Sequence, residues 1–205
     1  MNALVLDVET ASDPSVIPML KPVQPRAGTK DAAKIAAQLE TKAAAQLAGL
    51  SLDPATCRIV ALGYGNSVFT ARTVDEERDA LTTFWVEIAS LTLVGYNVVA
   101  FDLPILLTRS RILGVSHPRY DIRKYGCPGV VDLMLDLSFG GVVEYQSLDF
   151  WCKRLGLVTP DDPTSGADIA GMVEAGNFDG IVSHCQADLA KTTALCNRLW
   201  PELLK

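Results

Sequence analysis

The chain has 205 residues, enough to bury one core of ordinary size and scarcely enough for two. Hydrophobic residues make up 49% and charged residues 20%, the balance of a globular protein rather than a disordered one. A net charge of -6 disfavours a non-specific polyanion binder, which needs clustered Lys and Arg, but leaves room for a site whose positive charge comes from metal ions. The cysteines (Cys57, Cys127, Cys152, Cys185, Cys196) are odd in number and form no Cys-x-x-Cys pair, so reduced, buried thiols in a cytoplasm are expected rather than a zinc site or a disulfide framework. No basic region precedes the first apolar run, which argues against a signal peptide. The most apolar region, residues 91–107, is interrupted by Asn97, Asp102 and Pro104 and does not read as a membrane span.

Residues 3–9 predict a buried strand in which Leu4, Val5 and Leu6 lead into Asp7 and Glu9. Side chains two apart on a strand share a face, so these acids lie side by side. Burying like charges together is costly unless a cation compensates, and a hard divalent ion such as magnesium favours carboxylate oxygen. Taken alone, a strand end with both acids solvated is the plainer explanation.

Residues 11–28 hold Pro14, Pro18, Pro22 and Pro25 and predict an irregular connection. Residues 31–50 (DAAKIAAQLETKAAAQLAGL) form a strong helix pattern with a narrow stripe of Ile35, Leu39, Ala43 and Leu47. That stripe predicts packing along the domain edge, with a mobile binding arm as the alternative. Residues 58–65 read as a buried strand and residues 67–72 as its hairpin partner across Gly65-Asn66. Residues 75–90 predict an amphipathic helix with Leu81, Phe84, Trp85 and Ile88 inward, followed by a short strand over 92–96. A helix is expected from about Phe101 to Leu113, with Pro104 tolerated in its first turn.

A loop over 114–129 carries His117, Arg119, Arg123 and Lys124; with Arg109 and Arg111 these form the clearest basic concentration, either a guide for a phosphate backbone or a solvated face. Val130 to Leu133 suggests another strand. Ser147 predicts the cap of a helix ending at Gly156, and the polar loop PDDPTSG leads to a short helix over 168–175 and a long one over 178–200. Strand, hairpin, helix, strand, helix, strand, helices is the order of an α/β fold with a mixed sheet and helices on its faces.

Two further stretches place acids where chemistry is possible. In GYNVVAFDLP (95–104), Asp102 falls just after a strand at the start of a helix, where a capping or first-turn acid is the simple explanation. In HCQADLAKT (184–192), His184 and Asp188 are four apart on a helix and share a face. Together and in this order the three stretches resemble the motifs of the DEDD superfamily of 3′–5′ exonucleases. LVLDVET resembles the first motif, with Asp7 and Glu9 at its acid positions. NVVAFDLP resembles the second, with Asn97, Phe101 and Asp102 in the expected relation. HCQADLAKT resembles the third, with Asp188 as the last acid, and SLDFWCKRLGL resembles a helix between the second and third. The likeness is greatest to small phage and bacterial proofreading-type exonucleases, which carry a Lys- and Ala-rich helical insertion after the first strand.

The resemblance implies a ribonuclease-H-like fold with a five-stranded mixed sheet flanked by helices. It implies one exonuclease domain over residues 1–205, with a helical insertion at about 13–56. It also implies a mechanism in which Mg2+ or Mn2+, two ions about 3.5–4 Å apart, are held by Asp7, Glu9, Asp102 and Asp188. Thr10 and Phe101 are expected near the 3′ end of the substrate, Phe101 by stacking on a base, with Asn97 beside them. One position departs from the pattern. The family orients its water with a Tyr four residues before the last acid or a His five before it; here the residue four before Asp188 is His184 and the residue five before is Ser183. His184 is expected to serve as general base from the tyrosine-type position. The substrate implied is the 3′ end of single-stranded DNA, with short RNA or a catalytically silent nucleic-acid-binding module as alternatives. A separate DNA polymerase or replication protein is a possible partner, no membrane is expected, and the location would be cytoplasmic, that of the host if the chain is phage-encoded.

Overall fold

A computed structural model describes residues 3–201. Five strands form one sheet in the order β3-β2-β1-β4-β5: β1 (Ala3–Ser12), β2 (Cys57–Tyr64), β3 (Ser67–Thr70), β4 (Thr92–Gly95) and β5 (Val130–Asp132). β1 is central. It pairs antiparallel with β2 and parallel with β4, which pairs parallel with β5, so the sheet is mixed as the element order predicts. The helices are α1 (Ala32–Gly49), α2 (Val74–Glu87), α3 (Asp102–Leu113), α4 (Leu133–Leu137), α5 (Leu148–Arg154), α6 (Ile169–Glu174) and α7 (Phe178–Leu199). The 3-10 turns over Pro14–Met19, Leu50–Leu52 and Gly166–Asp168 and the short helix α4 are elements that the sequence pattern does not announce. None of the helices among the described residues is long and apolar enough to cross a membrane.

The alternation of β1 decides what the two faces of the sheet hold. Leu6 and Val8 point into a core shared with Leu81, Phe84, Trp85 and Ile88 at α2 and with Leu103 and Leu106 of α3. On the opposite face Val5 meets Cys185 and Leu189 of α7, and Ala11 meets Ile169 of α6 and Phe178 and Ile181 of α7. Asp7 and Glu9 have the same parity as Val5 and Ala11, so they point toward α7. A central strand covered on both sides by helices is the environment in which two carboxylates become costly.

The seat of α7 is set by a glycine. Gly63 is the β2 partner of Asp7. A Cβ at Gly63 would lie 2.6 Å from Cys185 Sγ and 2.8 Å from Leu189 Cδ1, so only a residue without a side chain lets α7 approach the strand this closely. That approach sets the height over β1 of the helix that carries His184 and Asp188.

The sequence groups Arg109 with the basic residues that follow it, and the structure separates it from them. Arg109 is 1% exposed and faces inward from α3. Its guanidinium donates to Glu77 through Nε (2.7 Å) and a terminal nitrogen (2.8 Å), and to Asp13 at 3.1 Å. Glu77 also accepts from the Ile59 amide, so one buried network ties α2, α3, β2 and the end of β1. Arg111, Arg119, Arg123 and Lys124 remain exposed. α1 has no buried residue; it lies against the Pro-rich segment through polar contacts, with Lys42 Nζ donating to the Gln24 carbonyl (2.7 Å) and Gln46 to that of Lys21 (3.2 Å).

Removing one partner of a buried ion pair strands the other charge, at a cost of about 3–5 kcal/mol. Arg109→Met should therefore lower the unfolding free energy by about that amount in denaturant titrations, and Arg109→Met with Glu77→Leu should cost less than the single change. Equal stability of Arg109→Met and the wild type would remove the network from the account.

Candidate active site

Three elements bring the predicted acids together. β1 supplies Asp7 and Glu9, the first turn of α3 supplies Asp102, and α7 supplies Asp188 and His184. All five line one cleft of about 300 Å³, together with Phe101, Tyr96, Leu148, Asp149, Lys191 and the stretch Thr164 to Gly166. A larger cavity of about 690 Å³ runs along β5 between Tyr125 and Trp200; it is mainly apolar and does not touch the acids.

The loop into α3 places Asp102. Asn97 takes a left-handed conformation (φ 64°), which Asn tolerates better than most residues. Asp132, at the end of β5, accepts hydrogen bonds from the amides of Asn97 (3.1 Å) and Val99 (3.0 Å) and also caps α4 through Met134 and Leu135. The turn before Asp102 is thus held by a buried carboxylate 5% exposed.

The electrostatics of the cleft are those of crowded like charges. Asp7 Oδ2 is shut off from solvent and has no hydrogen-bond partner. Burial and the Asp188 charge push Asp7 up to about 7. Burial, then Asp7 and Asp188, push Glu9 up to about 9, and burial and Asp7 raise Asp102 well above the ordinary carboxylate range. Lys191 is the compensating cation. It is 4% exposed, and its Nζ donates to Asp188 (3.0 Å) and Asp149 (2.9 Å). The Cys185 thiol lies within 4.8 Å of the Asp7 and Glu9 oxygens, but burial and the neighbouring acids push it far up, so it stays protonated. An orphaned carboxylate oxygen beside further oxygen donors is the donor set that a hard divalent cation takes, and the residues present fit such an ion.

His184 is 5% exposed and spans the cleft wall. Its Nε2 lies 3.5 Å from Glu9 Oε1, and its Nδ1 lies 2.5 Å from Asp162 Oδ2. Two of the expected substrate contacts fall elsewhere. Thr10 does not line the cleft; its hydroxyl donates to the Ser51 carbonyl at 2.6 Å. Asn97 serves the turn described above rather than the cleft wall. His117 stacks near Trp85, away from the acids, with ring centroids 5.9 Å apart. The residues that the motifs did not single out are Asp162, Lys191 and Tyr96. Only Lys191 left a signal, its i, i+3 spacing from Asp188 on a helix.

A family model described as a predicted 3′–5′ exonuclease related to the exonuclease domain of PolB matches residues 55–200. The chain belongs to this family. It is a DEDD-type 3′–5′ exonuclease, as the three motifs and the cleft lead one to expect. The match begins after β1, so Asp7 and Glu9 rest on their own sequence pattern and geometry. Among solved structures the fold resembles the family B DNA polymerase of the hyperthermophilic archaeon Pyrobaculum calidifontis, at 18% identity and a TM-score of 0.60 over 97% of this chain. The chain spans about a quarter of that polymerase, 24% of its length, and the likeness is one of fold. No curated protein matches the chain.

The raised carboxyls make stability depend on pH in a definite direction. An unfolded chain releases these protons near pH ~4, whereas the folded exonuclease retains them to about 7 at Asp7 and about 9 at Glu9. Between these limits the folded state binds more protons, so stability falls as pH rises. In chelator the melting temperature should drop from about pH 5 to about pH 8, and Asp7→Asn should flatten that slope and melt above the wild type at the alkaline end. A wild-type melting temperature that climbs over the same interval would contradict the crowding of the acids.

Proposed function

We propose that this exonuclease removes nucleotides from the 3′ end of single-stranded DNA and releases nucleoside 5′-monophosphates, acting as one domain over residues 1–205 with a helical insertion at about 13–56. The observation that carries the reading is the meeting of Asp7, Glu9, Asp102 and Asp188 in one cleft, with an oxygen of Asp7 left without a partner. These four side chains would hold a pair of magnesium or manganese ions. Bound there, the ions supply the positive charge that stabilises the attacking and leaving oxygens of an in-line displacement and make water a better nucleophile.

The chain's own groups do the rest. His184 faces the cleft through Nε2 and accepts a proton from the attacking water. The water oxygen bonds to phosphorus, the bond to the 3′ oxygen of the preceding nucleotide breaks, and that oxygen takes up a proton from solvent. Phe101, on the rim, offers an aromatic face to the terminal base, a contact that tolerates any sequence. Thr10 and Asn97 act on the substrate only through the backbone they hold at the ends of β1 and β4. Lys191 keeps Asp188 oriented and limits repulsion before substrate arrives. Because acids dominate the lining, a phosphate meets an attractive site only once cations are in place. A DNA polymerase or another replication protein is the partner that a proofreading role would need.

The test uses 5′-labelled DNA and RNA oligonucleotides with magnesium or manganese. Single-stranded DNA should shorten stepwise from its 3′ end, and chelator should stop it. Asp7→Asn and Asp188→Asn should each lower turnover more than about 100-fold, beyond the loss typical of residues that only orient a ligand. Faster shortening of RNA would reassign the substrate, and binding without cleavage would defeat the hydrolytic reading.

A further inference from the structure

The loop PDDPTSG carries no motif, yet it closes one side of the cleft. Asp162 precedes Pro163, which restricts its backbone to extended conformations. Its Oδ1 accepts from the Thr164 amide at 3.0 Å, which fixes the carboxylate on its own loop. Its Oδ2 lies 2.5 Å from His184 Nδ1, and the side chain is 11% exposed. Thr164 to Gly166, just beyond Pro163, line the cleft itself. Asp161 beside it is exposed.

A histidine ring has two nitrogens, and what one of them donates to decides what the other can accept. A carboxylate only accepts, so the proton on this side of the ring belongs to Nδ1. Nε2 is then left with its lone pair directed toward Glu9 and the cleft. Burial raises the Asp162 carboxyl, and hydrogen bonds from His184 and Thr164 outweigh it, holding the group below its ordinary range and hence ionised. The same division of labour, a buried carboxylate that orients a histidine which meets the reacting atoms, recurs on unrelated folds.

We infer that Asp162 is a positioning residue for His184: it fixes the Nδ1–H tautomer and aims Nε2 into the cleft. The catalytic part of this inference rests on the nuclease reading proposed above; the tautomer does not. The arrangement also accounts for a histidine at a helical position that differs from the family's histidine. With the ring anchored from the loop, Nε2 reaches the cleft from four residues before Asp188 rather than five.

The chain has 2 histidines, so both imidazoles are resolvable in long-range 1H–15N spectra of the metal-free protein, with His117→Gln for assignment. Recorded above the histidine titration range, the wild type should show His184 as the Nδ1–H form. Asp162→Ala should shift it toward Nε2–H. In kinetics, Asp162→Ala and the isosteric Asp162→Asn should lower kcat about 10–100-fold, with KM for oligonucleotide and half-saturation by magnesium within about twofold. Asp162→Glu should recover part of the loss, and Asp161→Ala should behave as wild type. An Nε2–H ring in the wild type, or an unchanged tautomer in both Asp162→Ala and Asp162→Asn, would overturn the inference. So would a loss expressed in KM alone. If the wild type leaves every oligonucleotide intact, the nuclease reading falls, and the spectra still decide whether Asp162 sets the tautomer.

Discussion

The constraint from which the rest follows is the confinement of Asp7 and Glu9 to a strand buried on both faces. Burial strips most of the solvent from them, and α7 brings a third carboxylate, Asp188, to the same place. Neighbouring elements answer this crowding in part. Lys191 reaches back along its helix to Asp188, and Asp149 shares it. Asp7 Oδ2 receives nothing. A fold shaped only for stability would place apolar groups here, as it does at Val5 and Ala11 on either side of the pair. In the function proposed above, the uncompensated charge is what would make the cleft receptive to cations, at a cost in stability.

Packing supports the electrostatics. Gly63 lets α7 rest against β2 beside Asp7. Asp132 holds the turn that presents Asp102, and the Arg109–Glu77–Asp13 network fixes α2 and α3 behind the sheet. None of these residues lines the cleft, yet each sets the position of one that does. Rigid elements under a site whose side chains must meet to within an ångström are a general requirement of such chemistry.

Much of this was legible in the sequence, for physical reasons. Short apolar runs, one alternating segment and turn residues locate all five strands to within a few residues, and the inward stripe of α2 is legible in Leu81, Phe84, Trp85 and Ile88. The acids were visible because a charge inside an apolar run breaks the pattern. Arg109 was misgrouped because closeness along the chain hides direction: it faces inward while Arg111, two residues on, faces solvent. Thr10 and Asn97 were read from their neighbours in the motifs, and their bonds to Ser51 and placement in the turn depend on distant parts of the chain. Asp162 left no trace because a loop has no period. Its partner lies 22 residues away, on a helix whose seat is set by still another element.

The central claim, that the four acids form a receptacle for a pair of cations, is tested most directly by anomalous scattering from crystals of the protein grown with manganese and a non-hydrolysable 3′-terminal oligonucleotide. The account predicts two strong peaks, both in contact with Asp7, with Glu9, Asp102 and Asp188 around them. A cleft without peaks at saturating manganese, or ions bound only elsewhere on the surface, would contradict it.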